Sequence, residues 1–240
     1  MRKTLATIAA LSLLALSACT SSDADAKPTV KIAVDPSDDE QMVLAEIYRQ
    51  IAQFDGRQVG IIPMSLPDDS AKLSVLQSGE ANFAVLCAGS LVTQENPGEA
   101  AELNRVAADA AGAGESHNAE DIPLATYDAA VATLPANLST IDPSPAESCE
   151  SQEHGDLPNN VIPVFDASLF DRGVRRVMNK ATRAMATEDL KDIVEEAAKD
   201  PDPSRAVNEW IQEKTGMGIA LERAVEDLSL IHISEPTRLL

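Results

Sequence analysis

The residues of this sequence that can bind a metal ion or bond to one another are few. Its 240 residues include three cysteines and three histidines. Cys87 ends the apolar stretch NFAVLC and precedes the small residues AGS, and Cys149 is followed by His154 with four residues between them. A structural zinc site needs about four such ligands, so we predict neither a metal nor another cofactor. Cys87 then has three interpretations: an apolar core residue, half of a disulfide, or part of a binding site.

The amino-terminal residues indicate where the protein is located. Two basic residues precede an apolar stretch over 5–16 that is too short to span a bilayer, which is typical of a secretory signal. The stretch ends in Leu-Ser-Ala-Cys, which resembles a lipobox, and the resemblance implies acylation of Cys19. We therefore predict a lipoprotein signal peptide over 1–19 and a flexible stalk over 20–28. The mature protein would be extracytoplasmic and lipid-anchored to the cell membrane, on its periplasmic or cell-surface side.

The predicted location bears on the two remaining cysteines. If the thiol of Cys19 carries lipid, only Cys87 and Cys149 are left to pair. In an oxidising compartment such a pair favours a disulfide, with two free thiols as the alternative.

The carboxyl-terminal residues are excluded from the fold prediction. The stretch LSLIHISEPTR, from Leu228 to Arg238, resembles a translated sequencing adapter. We therefore treat 228–240 as an artefact of the sequence. A helix of undefined end is expected over 216–227.

The charge and the absence of catalytic motifs exclude several functions. The formal net charge is −20, and so acidic a surface repels nucleic acid and anionic lipid head groups. The acidic side chains have two possible roles: they keep the surface solvated, or they bind a cationic ligand. The sequence contains no G-x-S-x-G, no H-E-x-x-H and no P-loop. We therefore predict that the protein is not an enzyme.

The first part of the chain alternates strands with helices. Apolar alternation predicts strands at 29–34, 58–64 and 82–87, and amphipathic spacing predicts helices after the first and second of them. This order favours an α/β lobe with parallel strands. Ser37 and Glu40 have the spacing of a capping box at the start of the first helix.

The rest of the chain is less regular until residue 160. Helical character is expected near 99–110, a strand within 121–135, and mostly irregular structure over 141–159. The later predicted elements are a strand at 160–165 and helices at 168–185, 187–198 and 203–214, the last with Asp202 as N-cap and Pro203 in its first turn.

Two separated parts of the chain, 30–92 and 157–215, resemble the substrate-binding lipoproteins of ABC importers for glycine betaine, choline and related osmoprotectants. Glu40-Gln41 with LAEIYRQI, and the later LQSGE, resemble that family's first and second helices. LPNNVIPVF, ATEDLKDI and DPSRAVNEWIQEKTG are similar to its return to the first lobe and its closing helices.

The resemblance implies a type II periplasmic binding-protein fold, an α/β fold with two lobes and a ligand cleft between them. Lobe one would comprise 29–92 and 159–215. The intervening 93–158 are few, so lobe two would be reduced. The implied protein is a monomer whose partners are a small-molecule ligand and an ABC permease.

The resemblance also implies a quaternary ammonium ligand, which that family holds against aromatic faces. Where the family often has Tyr-Thr-Gly-Thr after its third strand, this chain has Cys87-Ala88-Gly89-Ser90, so the aromatic residue is absent. The residues expected to contact ligand are Asp35, Ser37, Asp38, Asp39, Gln41, Cys87, Gly89, Ser90, Tyr127 and Phe165. For Asp38 and Asp39 the alternative role is to favour the helix dipole.

With the cleft placed in this way, a Cys87–Cys149 disulfide would pin the irregular segment across the cleft mouth. Two functions remain open. One is a membrane-anchored solute-binding protein that delivers a ligand to an ABC importer. The other is a degenerate relative, a non-transport envelope lipoprotein that binds a protein partner.

Overall fold

The protein is built around a five-stranded mixed sheet. The structure is a computed structural model that describes residues 27–113, 121–199 and 203–217. The lipobox cysteine Cys19, the predicted N-cap Asp202 and the adapter-like tail lie outside these residues.

The strands run β1 (Val30–Val34), β2 (Val59–Pro63), β3 (Phe83–Cys87), β4 (Leu138–Ser139) and β5 (Val161–Asp166), in the sheet order β2-β1-β3-β5-β4. β1 pairs in parallel with β2 and with β3, as predicted. β5 lies antiparallel between β3 and β4, with Cys87 opposite Val161 and Phe83 opposite Phe165. The sheet is therefore completed by a strand that returns from the second half of the chain.

The helices are α1 (Asp39–Phe54), α2 (Asp69–Ser78), α3 (Ala88–Glu95), α4 (Pro97–Ala113), α5 (Ile122–Thr133), α6 (Arg172–Ala184), α7 (Thr187–Ala197) and α8 (Ser204–Thr215). The prediction of a strand within 121–135 is wrong, because that stretch is α5. Asp121 caps it by accepting a hydrogen bond from the amide of Leu124 at 3.2 Å, and a proline lies in the first turn. Four alanines then favour the helix.

The capping residue of α1 also differs from the prediction. Asp38, and not Ser37, accepts the hydrogen bond from the amide of Gln41, at 3.0 Å. The hydroxyl of Ser37 instead donates to Oδ1 of Asp35 at 2.6 Å. Glu40 does not close a capping box, because its carboxylate accepts from the hydroxyl of Ser148 at 2.8 Å. α8 begins at Ser204, one residue later than predicted.

Helices cover both faces of the sheet. On one face α1, α6, α7 and α8 enclose the larger core cluster, which contains Tyr48, Phe83 and Phe165. On the other face α2 and α3 pack on Ala84, Leu86 and related residues. Since β3 and β5 are buried on both faces, lobe one has the complete layered core of an α/β domain.

In the described parts of 93–158, the regular elements after the end of α3 are α4, α5 and the short strand β4. α4 and α5 pack on α3 around Val92, Leu103 and Leu157, and β4 joins the sheet of lobe one. Between 27 and 217, leaving aside the gaps, every helix is too short or too polar to cross a bilayer.

Candidate functional site

A polar cavity of about 610 Å³ opens beside the carboxyl ends of the parallel strands. Its walls are the loop after β1, the first turn of α1, the region before and within α2, and residues 149–152, here called the wall segment. Five residues predicted from sequence line it: Asp35, Ser37, Asp38, Asp39 and Gln41. Open α/β sheets bind ligands at this edge, where loops and helix amino termini meet.

Asp35 holds two walls of the cavity together. Oδ1 accepts hydrogen bonds from the amide and hydroxyl of Ser37 at 2.9 and 2.6 Å, and Oδ2 accepts from the amide of Leu66 at 2.9 Å. Because these bonds favour the charged carboxylate, the bonds with Ser37 first, the pKa of Asp35 lies below its usual value. Asp35 is thus already engaged in shaping the loops.

The first turn of α1 supplies three more carboxylates. Asp38 is used as the N-cap and Glu40 accepts from Ser148. Burial raises the pKa of Glu40, and the hydrogen bond from Ser148 opposes that shift. Asp39 is exposed, and its carboxylate accepts no hydrogen bond from the described residues. It is the carboxylate of this turn that remains available to a ligand.

A buried ion pair, which the sequence reasoning missed, lies beneath the cavity. Asp69 is fully buried and Lys72, which lines the cavity, is 2% exposed. Nζ of Lys72 donates to Oδ1 of Asp69 at 2.9 Å and to Oε1 of Gln41 at 3.2 Å. The available signal was spacing, since 69, 72, 73 and 76 fall on one face of α2 and all are buried.

Asp69 also connects α2 to the end of β3. Its Oδ2 accepts from the amide of Cys87 at 2.9 Å and from the hydroxyl of Ser90. On the cavity side, its own amide donates to Oε1 of Gln152 at 3.0 Å. Asp69 therefore joins α2 to the β3–α3 junction through its carboxylate and to the wall segment through its amide.

The predicted disulfide is confirmed. Cys87 and Cys149 are bonded, with their Cα atoms 6.4 Å apart, and both are buried. Cys149 adopts a φ of 61°, which is unusual for a residue with a side chain. The bond joins the end of β3 to the first residue of the wall segment. A carboxylate oxygen of Asp69 lies within 4.8 Å of both sulfurs, but these donors are occupied by the disulfide and by Lys72.

Cys87, Gly89 and Ser90 lie behind the cavity and are fully or nearly fully buried. The amide of Ser90 donates to Oδ1 of Asn159 at 2.8 Å. Gly89 lies in the first turn of α3, where a Cβ atom would be 2.9 Å from the carbonyl oxygen of Pro158. Its lack of a side chain permits this approach.

The two predicted aromatic ligand contacts do not line the cavity. Phe165 is fully buried in the core, stacked against Phe83 at a centroid distance of 6.1 Å. Tyr127 lies on α5, and its hydroxyl donates to the carbonyl oxygen of Ile141 at 3.0 Å. Burial raises the pKa of Tyr127. In this structure both rings serve packing.

Comparison with known proteins places the fold. No protein-family model matches the sequence, and no curated protein matches it. Among solved structures, apo YehZ from Escherichia coli is 10% identical, with a TM-score of 0.56, over 78% of this chain and 98% of that one. A glycine betaine/carnitine/choline ABC transporter structure is 12% identical, with a TM-score of 0.56 and the same coverage of both chains.

These likenesses, together with the sheet order, define the class of fold. The chain has an α/β fold like that of type II periplasmic binding proteins, with lobe one complete and lobe two reduced. The fold class predicted from the sequence is confirmed. At such low identity the likeness concerns architecture, and function depends on the cavity.

Proposed function

We propose that this chain is an extracytoplasmic, membrane-anchored solute-binding protein that delivers a small ligand to an ABC importer. The observation that carries the proposal is the polar cavity, which is bounded on one side by the first turn of α1 and on the other by the disulfide-tethered wall segment. A pocket of this size accommodates a ligand of metabolite size. The partners are the ligand and a permease, and the protein acts as a monomer.

The proposed contacts are the predicted residues that line the cavity. Asp39 and Gln41 provide side chains directed by α1, while Asp35, Ser37 and Asp38 shape the surrounding loops. Cys87, Gly89 and Ser90 act from behind by holding the wall segment and α2 in place. The site is thus assembled from lobe one and from one segment of 93–158.

Ligand-induced thermal stabilisation tests this proposal. The detergent-solubilised mature protein is screened against a library of amino acids, amines, betaines, sugars and organic acids. A ligand present at about one hundred times its Kd stabilises the folded state by about 2.7 kcal/mol, which is a readily measured shift in melting temperature. Binding is then confirmed by calorimetry. If no solute shifts the melting temperature and none produces heat, the proposal fails.

The lipid anchor is tested separately. Wild-type protein is expected to carry a diacylglyceryl group on Cys19 and to partition into detergent, because buried acyl chains contribute about 0.8 kcal/mol per CH₂. Cys19→Ser should release the protein from the membrane or stop its processing. A fully processed wild-type protein that remains in the aqueous phase would contradict the anchor.

One observation favours the alternative, an envelope lipoprotein with a protein partner. In the described parts of 93–158, helices α4 and α5 predominate, and the strand β4 found there has two residues and joins the sheet through β5. Such a chain offers less surface for closing over a solute. A photo-crosslinking residue at Asp39 discriminates the two functions. If the residue captures one envelope protein and no added solute prevents the capture, the alternative is supported. If it captures a permease and an added solute changes the capture, import is supported.

A further inference from the structure

The aromatic residues of the chain are all placed away from the polar cavity. The sequence has one Trp, two Tyr and four Phe, and all seven lie in the described residues: Tyr48, Phe54, Phe83, Tyr127, Phe165, Phe170 and Trp210. None of them is among the residues that line the cavity. A quaternary ammonium group donates no hydrogen bond and depends on ring faces for its recognition. This cavity therefore offers such a group carboxylates but no ring face.

The outer part of the cavity is rich in carboxylates that are open to a ligand. Asp39 accepts no hydrogen bond from the described residues, and Glu150 of the wall segment lies 3.9 Å from Nζ of Lys191 while 86% exposed. These acids stand on opposite walls, one on α1 and one on the segment held by the disulfide. A group with several N–H donors and a positive charge matches them, since charge-assisted hydrogen bonds are the stronger kind.

The inner part of the cavity carries an independent feature, an ammonium group that is paired with a buried carboxylate. Lys72 is 2% exposed and lines the cavity. An ammonium group has three N–H donors, and Lys72 uses two of them, on Asp69 and Gln41. The third N–H donor of Lys72 has no acceptor among the residues that the structure describes. Because Lys72 lines the cavity, an oxygen atom of a ligand is able to accept this third hydrogen bond.

Resting on the proposed function, we infer that the cavity binds a small zwitterion with a protonated primary or secondary amine. Its carboxylate accepts a hydrogen bond from Lys72, and its amine donates to Asp39 and Glu150. The ligand class is thus that of unmethylated amino acids, and N-trimethylated betaines are discriminated against. The discrimination has a simple origin: methylation removes every N–H donor, and no ring face replaces the lost bonds.

Matched ligand pairs test the inference. The mature protein is titrated calorimetrically with α-amino acids, β-alanine and 4-aminobutyrate, and the best binder is compared with its N-trimethylated form, as glycine is with glycine betaine. We expect trimethylation to weaken binding at least about tenfold, which corresponds to the loss of one charge-assisted hydrogen bond. Equal or tighter binding of the trimethylated form overturns the inference.

The contact between Lys72 and the ligand carboxylate is tested by changing the ligand. Replacing Lys72 itself would leave the carboxylate of Asp69 buried without its partner. The decarboxylated form of the best binder should bind at least about tenfold more weakly than the parent. Equal affinity of the two forms would overturn the role of Lys72.

Protein variants test the outer contact. Asp39→Asn is expected to reduce amino-acid affinity about tenfold, while the matched change Asp128→Asn, at an exposed position on α5, leaves it unchanged. If the two variants bind the amino acid with equal affinity, Asp39 does not contact the ligand. If no amino acid binds but another solute from the library does, the inference fails and the proposed function stands. If no solute binds at all, both fail.

Discussion

Nζ of Lys72 lies 2.9 Å from Oδ1 of Asp69, one turn apart on α2, and both side chains are withdrawn from solvent. Each charge stabilises the other in a region that is closed to water. Such a pair contributes little net stability, but the loss of one partner leaves a buried charge alone. The pair is therefore a point at which the region beneath the cavity is sensitive to substitution.

Asp69→Asn should lower the free energy of unfolding by about 3–5 kcal/mol, because Lys72 keeps its charge without a counterion. The double variant with Lys72→Met should be less destabilised than the sum of the two single variants. Urea denaturation measures all three. The control is Asp109→Asn, which removes an exposed partner of Arg105 and should cost less than about 1 kcal/mol. Strict additivity of the two buried changes would contradict the pairing.

The Cys87–Cys149 disulfide should be recovered as one linked peptide in non-reducing mapping. Its partners are 62 residues apart, and closing a loop of that length stabilises the folded state by roughly 4 kcal/mol in the chain-entropy model. The variant with both cysteines changed to serine should therefore melt at a markedly lower temperature. Its ligand affinity should also fall, because the wall segment is no longer held.

A reducing agent provides the control for the disulfide. It should lower the melting temperature of the wild type and leave the double-serine variant unchanged. Alkylation of both cysteines by iodoacetamide in the native, unreduced protein would refute the bond.

Gly89→Ala should destabilise the protein by about 1–3 kcal/mol, since the new methyl group would meet the carbonyl oxygen of Pro158 at 2.9 Å. Gly60→Ala is the matched control, because no atom lies within 4 Å of a Cβ atom at that position in β2. Thermal melts of the two variants give the comparison. Similar melting temperatures for both variants would show that the backbone at Pro158 moves away from the new methyl group at little cost.

The carboxylate of Asp35 should contribute a pH-dependent part of the stability. Its pKa in the folded protein is lowered by its bonds with Ser37 and Leu66, so the contribution is complete above the unfolded pKa of about 3.9 and is lost as the pH falls through the folded value. Asp35→Asn should melt at a lower temperature at pH 7. The difference from wild type should narrow as the pH falls below about 3.9.

Asp166 offers a matched control for that experiment. Its Oδ1 accepts from the amide and hydroxyl of Ser168 at 2.8 and 2.6 Å, and these bonds likewise lower its pKa. Asp166→Asn should reproduce the pH dependence without altering ligand binding, because Asp166 lies outside the cavity lining. A melting difference for Asp35→Asn that stays constant with pH would contradict its ionised role.

The parallel strands of lobe one could be predicted because their signals are local. Val30, Ile32 and Val34 alternate along β1, and an acidic N-cap with an apolar stripe follows in α1. The disulfide partner of Cys87 followed from the cysteine count, once Cys19 was assigned to lipid. α5 was missed because Ile122, Thr126 and Val131 favour strands, and the prediction gave them more weight than the alanines and the N-cap Asp121, which favour a helix.

Neither the burial of Phe165 away from the cavity nor the Lys72–Asp69 ion pair could be predicted, for a different reason. Phe165 lies on a strand buried on both faces, so alternation gives no sign of which side meets a ligand. Lys72 was unremarkable because a lysine on a short helix is usually solvated. Its partners Asp69 and Gln41 come from two helices, and such a contact depends on the tertiary fold.

The position of β5 in the sheet has a consequence for biosynthesis. β3 is translated long before its neighbour, because Cys87 is opposite Val161 in the register. Until β5 leaves the ribosome, one edge of an apolar strand has unpaired backbone groups, and such an edge invites association with other chains. In the proposed extracytoplasmic location, an exported chain would bring Cys149 into the oxidising compartment ahead of β5, so that Cys149 could oxidise with Cys87 first. The covalent bond would then keep the nascent return segment beside the edge that it must cover.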